Sequence, residues 1–185
     1  VQWIDEGALS DRSTDDPLKL ASSNNTLWEL GEPDYILRLP AFRVPATGVL
    51  DYENITLDLP FTKGVWIKSV QFIPGDKRAL HHLMTYVAPT DFTENSGPSE
   101  ARDSWKFLEG YAPGKDSAIS FPDHSGVFIP ARSTLSVSLH YTTFGKEAID
   151  QTIIGLYLAD EKPRFEYSTY ALSRGGSDIL IPPSV

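Results

Sequence analysis

Leu135-Ser136-Val137-Ser138-Leu139-His140-Tyr141 alternates strictly between apolar and polar side chains. Successive side chains on a strand point to opposite faces, so Leu135, Val137, Leu139 and Tyr141 share one face, and Ser136, Ser138 and His140 the other. The segment therefore reads as a half-buried β-strand that presents a histidine on its polar face.

The same two-residue rhythm, less strict, recurs at 35–39, 54–59, 65–72, 80–87, 126–129, 134–142, 152–159 and 165–172. These runs are rich in β-branched and aromatic residues and are punctuated by Pro and Gly, and no stretch keeps a helical period for long. The expectation is an all-β fold: an antiparallel jelly-roll β-sandwich of about eight strands with an irregular or helical N-terminal extension. A turn or two of helix is expected within the connection 99–108, from Glu100, Ala101, Trp105 and Leu108. No fixed-period repeat suggests a solenoid or propeller.

Residues 1–27 differ in character from the rest of the chain. Val1-Gln2-Trp3-Ile4 with Ala8-Leu9 suits a short helix, and 11–16 and 22–26 read as polar linker. The expected division is 1–27 as a linker or tail of an upstream module and 28–185 as the β domain. A chain that begins at Val1 without a signal peptide is expected to have been processed or excised from something longer.

The 185 residues carry a formal net charge of -9, with 41% hydrophobic and 22% charged residues, which is ordinary for a globular domain. The acidic balance and the lack of a Lys/Arg cluster argue against nucleic acid as a partner. No apolar run approaches the roughly 20 residues of a membrane-spanning helix. With no cysteine, disulfides, iron-sulfur ligation, thiolate zinc sites and cysteine nucleophiles are all excluded.

Three of the four histidines fall in two strand-like runs: His140, and the pair His81-His82 within Arg78-Ala79-Leu80-His81-His82-Leu83-Met84. Three imidazoles without carboxylate or thiolate would suit copper or zinc. Adjacent residues on a regular strand point apart, however, so both members of the pair reach one ion only if the strand is twisted or bulged there. The alternative is one buried, hydrogen-bonded ring and one solvated ring, and a histidine on a polar strand face, such as His140, is often simply solvated. Tyr86, Asp123 and Ser138 are candidates to orient the rings through their second nitrogens. His124, in Asp123-His124-Ser125 after Pro122, reads as a loop residue that could assist a metal. No phosphate loop, His-Glu-x-x-His helix or Gly-x-Ser-x-Gly elbow competes.

These segments resemble a known family. Trp28-Glu29-Leu30-Gly31-Glu32-Pro33-Asp34, Phe72-Ile73-Pro74-Gly75, the His-His pair with its hydrophobic strand, and Tyr111-Ala112-Pro113-Gly114 are similar to the copper type II, ascorbate-dependent monooxygenases (peptidylglycine α-hydroxylating and dopamine β-monooxygenase-like). Val127-Phe128-Ile129-Pro130-Ala131, Leu139-His140-Tyr141-Thr142, Asp150, Ile154-Gly155-Leu156-Tyr157 and Ile181-Pro182-Pro183 extend the likeness across nearly all of 28–185. It is to the first of that family's two catalytic domains, an eight-stranded jelly roll.

The resemblance implies that His81, His82 and His140 hold one copper ion. That copper would take an electron from ascorbate and pass it to a second copper on a following domain, where substrate is hydroxylated. It further implies an exported, periplasmic or extracellular location. The second domain's His-x-His and methionine ligands are not in this sequence, whose single methionine is Met84. As a fragment it would be catalytically incomplete. Leu83 stands where animal members often carry methionine, and the animal disulfides are missing, as in a bacterial-type branch. In such branches a c-type cytochrome often precedes the domain, and residues 1–8 resemble the tail of one. A non-enzymatic copper-binding or carrier β-sandwich, and a structural module in which the histidines are incidental, are the competing expectations.

Overall fold

The computed structural model describes residues 2–5, 7, 27–88 and 105–169. In chain order these form α1 (Gln2–Asp5), β1 (Tyr35–Arg38), β2 (Phe42–Val44), β3 (Glu53–Asp58), β4 (Val65–Ile73), β5 (Leu80–Ala88) and β6 (Lys106–Tyr111). They continue with β7 (Ala118–Ser120), β8 (Ser125–Ile129), β9 (Thr134–Tyr141), β10 (Ala148–Asp150), β11 (Ile153–Leu158) and β12 (Phe165–Glu166). The fold is a β-sandwich of the expected antiparallel jelly-roll class. None of the described helices is long and apolar enough to cross a membrane.

Two compact units divide between Gly31 and Glu32. The first contains α1 and a turn closed by the Gly31 amide on the Trp28 carbonyl. The expected polar linker at 11–16 and 22–26, and residues 8–9, lie outside the described residues.

In the second unit, one sheet orders β3-β9-β5-β6, all antiparallel. The other runs β1-β11-β4-β8-β12, with β7 sharing the β8 side of β4, and only the short β12–β8 pairing is parallel. β10 and β2 form a separate ladder. Leu135, Val137, Leu139 and Tyr141 of β9 and Leu80, Leu83 and Val87 of β5 bury their side chains in one cluster with residues of the opposing sheet. Those partners are Ile67, Val70 and Phe72 of β4, Val127 and Ile129 of β8, and Ile154 and Leu156 of β11.

Burying a Val, Leu or Ile side chain stabilises by about 1.5–3 kcal/mol, and a one-residue slip of β9 would turn Leu135, Val137 and Leu139 outward together with Tyr141. The alternation of β9 thus fixes His140 on the outer face.

Two expectations need correction. Residues 106–108 are not helical: they open β6, which pairs with β5, and residues 99–104 lie outside the described set. The run 165–172 is extended only at Phe165–Glu166, with Thr169 making an isolated bridge to Phe107, and 170–172 are not described. The short strands β2, β7 and β10 carry too few residues for their alternation to register in the sequence.

Candidate metal centre

β5 and β9 are the two central strands of the four-stranded sheet, and the register between them builds the site. Leu80 pairs with Tyr141 and His82 with His140, so His81 is an extra residue with no partner: a β-bulge. The bulge removes the geometric obstacle. Leu80 and Leu83 are buried on the inner face, while His81 is exposed and His82 and His140 are half-buried on the outer one. An inserted residue breaks the period of two, which lets both members of an adjacent pair face the same way.

The three rings converge. Nδ1 of His81 lies 3.0 Å from Nδ1 of His82 and 3.4 Å from Nδ1 of His140. One ring nitrogen from each residue lies within 4.8 Å of the others, and this is the metal-competent cluster among the described residues. Ring centroids are 4.9 Å apart for His82–His140, 5.1 Å for His81–His82 and 5.4 Å for His81–His140.

Two nitrogens bound to one ion at about 2.0 Å stand about 2.8–3.5 Å apart for angles of about 90–120°. Both Nδ1 spacings from His81 fall in that window. A neutral ring nitrogen offers one proton or one lone pair, so His81 Nδ1 can satisfy both neighbours by hydrogen bonding only through a bifurcated contact. A single cation instead accepts a lone pair from each ring, and the donor set therefore fits a metal.

Protonation state favours the same reading. Burial, then the neighbouring His140 and His81, push the His82 imidazole below its ordinary value of 6.5. The ring is thus neutral at neutral pH, as a ligand must be.

Tyr52, one residue before β3, completes the surroundings. Its Oη is 3.1 Å from His82 Nε2, and its ring stacks on His140 with centroids 4.8 Å apart and planes 18° from parallel. With Nδ1 of His82 bound to a metal, Nε2 would carry the proton and donate to Tyr52, which would fix the ring's orientation.

The residues expected in that orienting role sit elsewhere. Tyr86 donates its hydroxyl to Met84 Sδ at 3.5 Å, Ser138 occupies the next rung of β9, and Asp123 lies in the turn before β8. His124 lies in the same turn with φ of 59°, and the Phe165 amide donates to its carbonyl. It leads into β8 of the opposing sheet and does not join the trio.

A buried carboxylate anchors both arms. Asp150 is 1% exposed and accepts from the Tyr141 hydroxyl at 3.0 Å, the Thr152 hydroxyl at 2.8 Å and the Asp76 amide at 2.8 Å. Tyr141 follows His140 directly. Asp76 opens the turn whose carbonyl accepts from the amides of Ala79 and Leu80, immediately before the bulge. Gly75 lies against the Asp150-Gln151 backbone so closely that a Cβ there would overlap Gln151 N. Pairing of the Thr142 amide with the Ala79 carbonyl then closes the ladder beyond the bulge.

No protein-family model matches the chain, and no curated protein sequence matches it.

Proposed function

We propose that the chain is the copper-binding, electron-accepting domain of an ascorbate-dependent copper monooxygenase, with His81, His82 and His140 holding one ion. The observation that supports this best is the convergence of three imidazoles on the outer sheet face, achieved by the bulge at His81. An all-nitrogen set ranks divalent copper above zinc in affinity and accommodates both copper oxidation states. When bound, copper would supply one-electron chemistry.

The protein's own residues hold and expose the site. The paired backbones of β5 and β9 fix His82 and His140, and Tyr52 holds His82 by its second nitrogen. The exposure of His81 leaves a side open to a small reductant. The net charge of -9 gives no long-range attraction to an anion such as ascorbate, so delivery would depend on contact at the site. Within this proposal a following domain would hold the second copper that receives the electron, a c-type cytochrome domain would lie upstream, and the protein would be exported.

The test is metal analysis and electron paramagnetic resonance on protein purified without chelator. The expected result is one copper per chain with an axial signal and nitrogen hyperfine structure, lost in His140→Ala and bleached by ascorbate. A site that takes only zinc, or copper binding that survives His140→Ala, would refute the assignment. Copper that binds but ascorbate cannot reduce would leave a carrier.

A further inference from the structure

A cavity of about 180 Å³ opens on the same outer sheet face, lined by Asn54, Met84, Tyr86, Trp105, Ser136 and Ser138. Its position follows from register. Asn54, Ser138 and Met84 form one rung across β3, β9 and β5, next to the His140–His82 rung, and Ser136 with Tyr86 forms the rung beyond. Two residues along a strand span about 7 Å, so the cavity begins about that far from the histidines.

Its lining is divided by chemistry. Met84, Tyr86 and Trp105 supply an apolar, partly aromatic wall, with Tyr86 and Trp105 ring centroids 6.3 Å apart. Asn54, Ser136 and Ser138 supply an amide and two hydroxyls. None of these three side chains makes a hydrogen bond to another described residue. Among the described residues, no charged side chain lines the cavity.

We propose that this cavity is a binding site for a single uncharged, polyhydroxylated ring of the pyranose sugar class. The absence of a cation among the described lining residues disfavours an anion, which would be desolvated without a partner. An amide and two hydroxyls offer more donors and acceptors than the single hydroxyl of a simple phenol can satisfy, and each polar group buried unpaired costs affinity. A ring with an apolar face and several hydroxyls on its edge satisfies both walls, the face against Tyr86 and Trp105 and the edge against Asn54, Ser136 and Ser138. The volume suits one ring, being below the roughly 300 Å³ at which drug-sized pockets start. This site needs no metal and does not rest on the copper reading.

The experiment titrates metal-free protein, kept in chelator, with glucose, galactose, mannose and xylose, and follows backbone amide shifts by NMR. At least one sugar is expected to give saturable shifts at Asn54, Ser136, Ser138 and the Trp105 indole, with a dissociation constant of about 1–10 mM. Ser136→Leu fills the cavity from a rung away from the histidines and is expected to weaken binding by more than about tenfold. Asn54→Ala, at an exposed edge-strand position, is expected to weaken it about threefold to tenfold and covers the case in which the leucine variant does not fold.

Absence of saturable shifts with every sugar, or shifts unchanged in both variants, overturns the site. If hydroquinone or ascorbate saturates the same amides where no sugar does, the ligand class is overturned instead. Because no metal is present, neither outcome bears on copper binding.

Discussion

Deleting one histidine of the pair isolates the bulge from the ligand it supplies. Removal of either His81 or His82 leaves the same sequence, Leu-His-Leu, in β5. With the extra residue gone, the remaining histidine falls opposite His140 and Leu80 opposite Tyr141, in one uninterrupted register. The core face keeps Leu80, Leu83 and Val87, and the lost residue is exposed. The stability of the metal-free protein should therefore change by less than about 1 kcal/mol, since surface changes away from special features usually stay within about half of that.

Metal binding should change far more. Structural sites with four ligands gain about 10–16 kcal/mol, which is about 2.5–4 kcal/mol per ligand, so losing one of three should weaken binding by about two to three orders of magnitude. His81→Ala, which keeps the bulge but not the imidazole, should match the deletion in affinity. The assays are urea denaturation in chelator and competition for copper against a chromophoric chelator. If the deletion costs more than about 3 kcal/mol in the metal-free protein, or leaves affinity within a few-fold of the parent, the bulge is not a device for supplying a third ligand.

Tyr52→Phe keeps the ring stacked on His140 but removes the acceptor for His82 Nε2, and copper affinity should fall about tenfold, measured by the same competition, with little change in stability. Tyr141→Phe should cost about 1.5–3 kcal/mol in denaturant melts at neutral pH, because the buried Asp150 carboxylate loses one of its three donors. Burial, and then the Asp150 carboxylate, raise the Tyr141 phenol above its ordinary 10, so the folded state favours the protonated form. The stability this gives is fully present below about pH 10 and lost as pH rises beyond it, and the Phe variant should show a shallower alkaline decline. Gly75→Ala should destabilise by about 1–3 kcal/mol in thermal or urea melts, because its Cβ meets the Gln151 backbone, which cannot move without disturbing Asp150.

Much of the fold was legible because burial in a sheet leaves a period of two. Leu135 to Tyr141 show it without error, and β9 runs where that pattern puts it, with His140 outward. The pattern failed at Lys106–Tyr111, where Leu108 is an extra residue opposite β5, so the alternation breaks in the middle. Broken alternation near Ala101, Trp105 and Leu108 resembles helical spacing. At His81-His82 the same kind of insertion was legible only as a condition: two adjacent rings can share an ion if the strand is irregular, and nothing local says that it is.

The sequence by itself therefore determined the fold class and the outward face of His140, and named His81, His82 and His140 as candidates without deciding whether they meet. Tertiary structure decided that β5 lies beside β9 in a register that brings His82 opposite His140, because inter-strand hydrogen bonding joins residues far apart in the chain. It also decided that Tyr52, rather than Tyr86, Asp123 or Ser138, meets His82, since that contact depends on β3 pairing with the other edge of β9. Ring convergence is a property of register between distant segments, which core packing selects and local residue patterns do not encode.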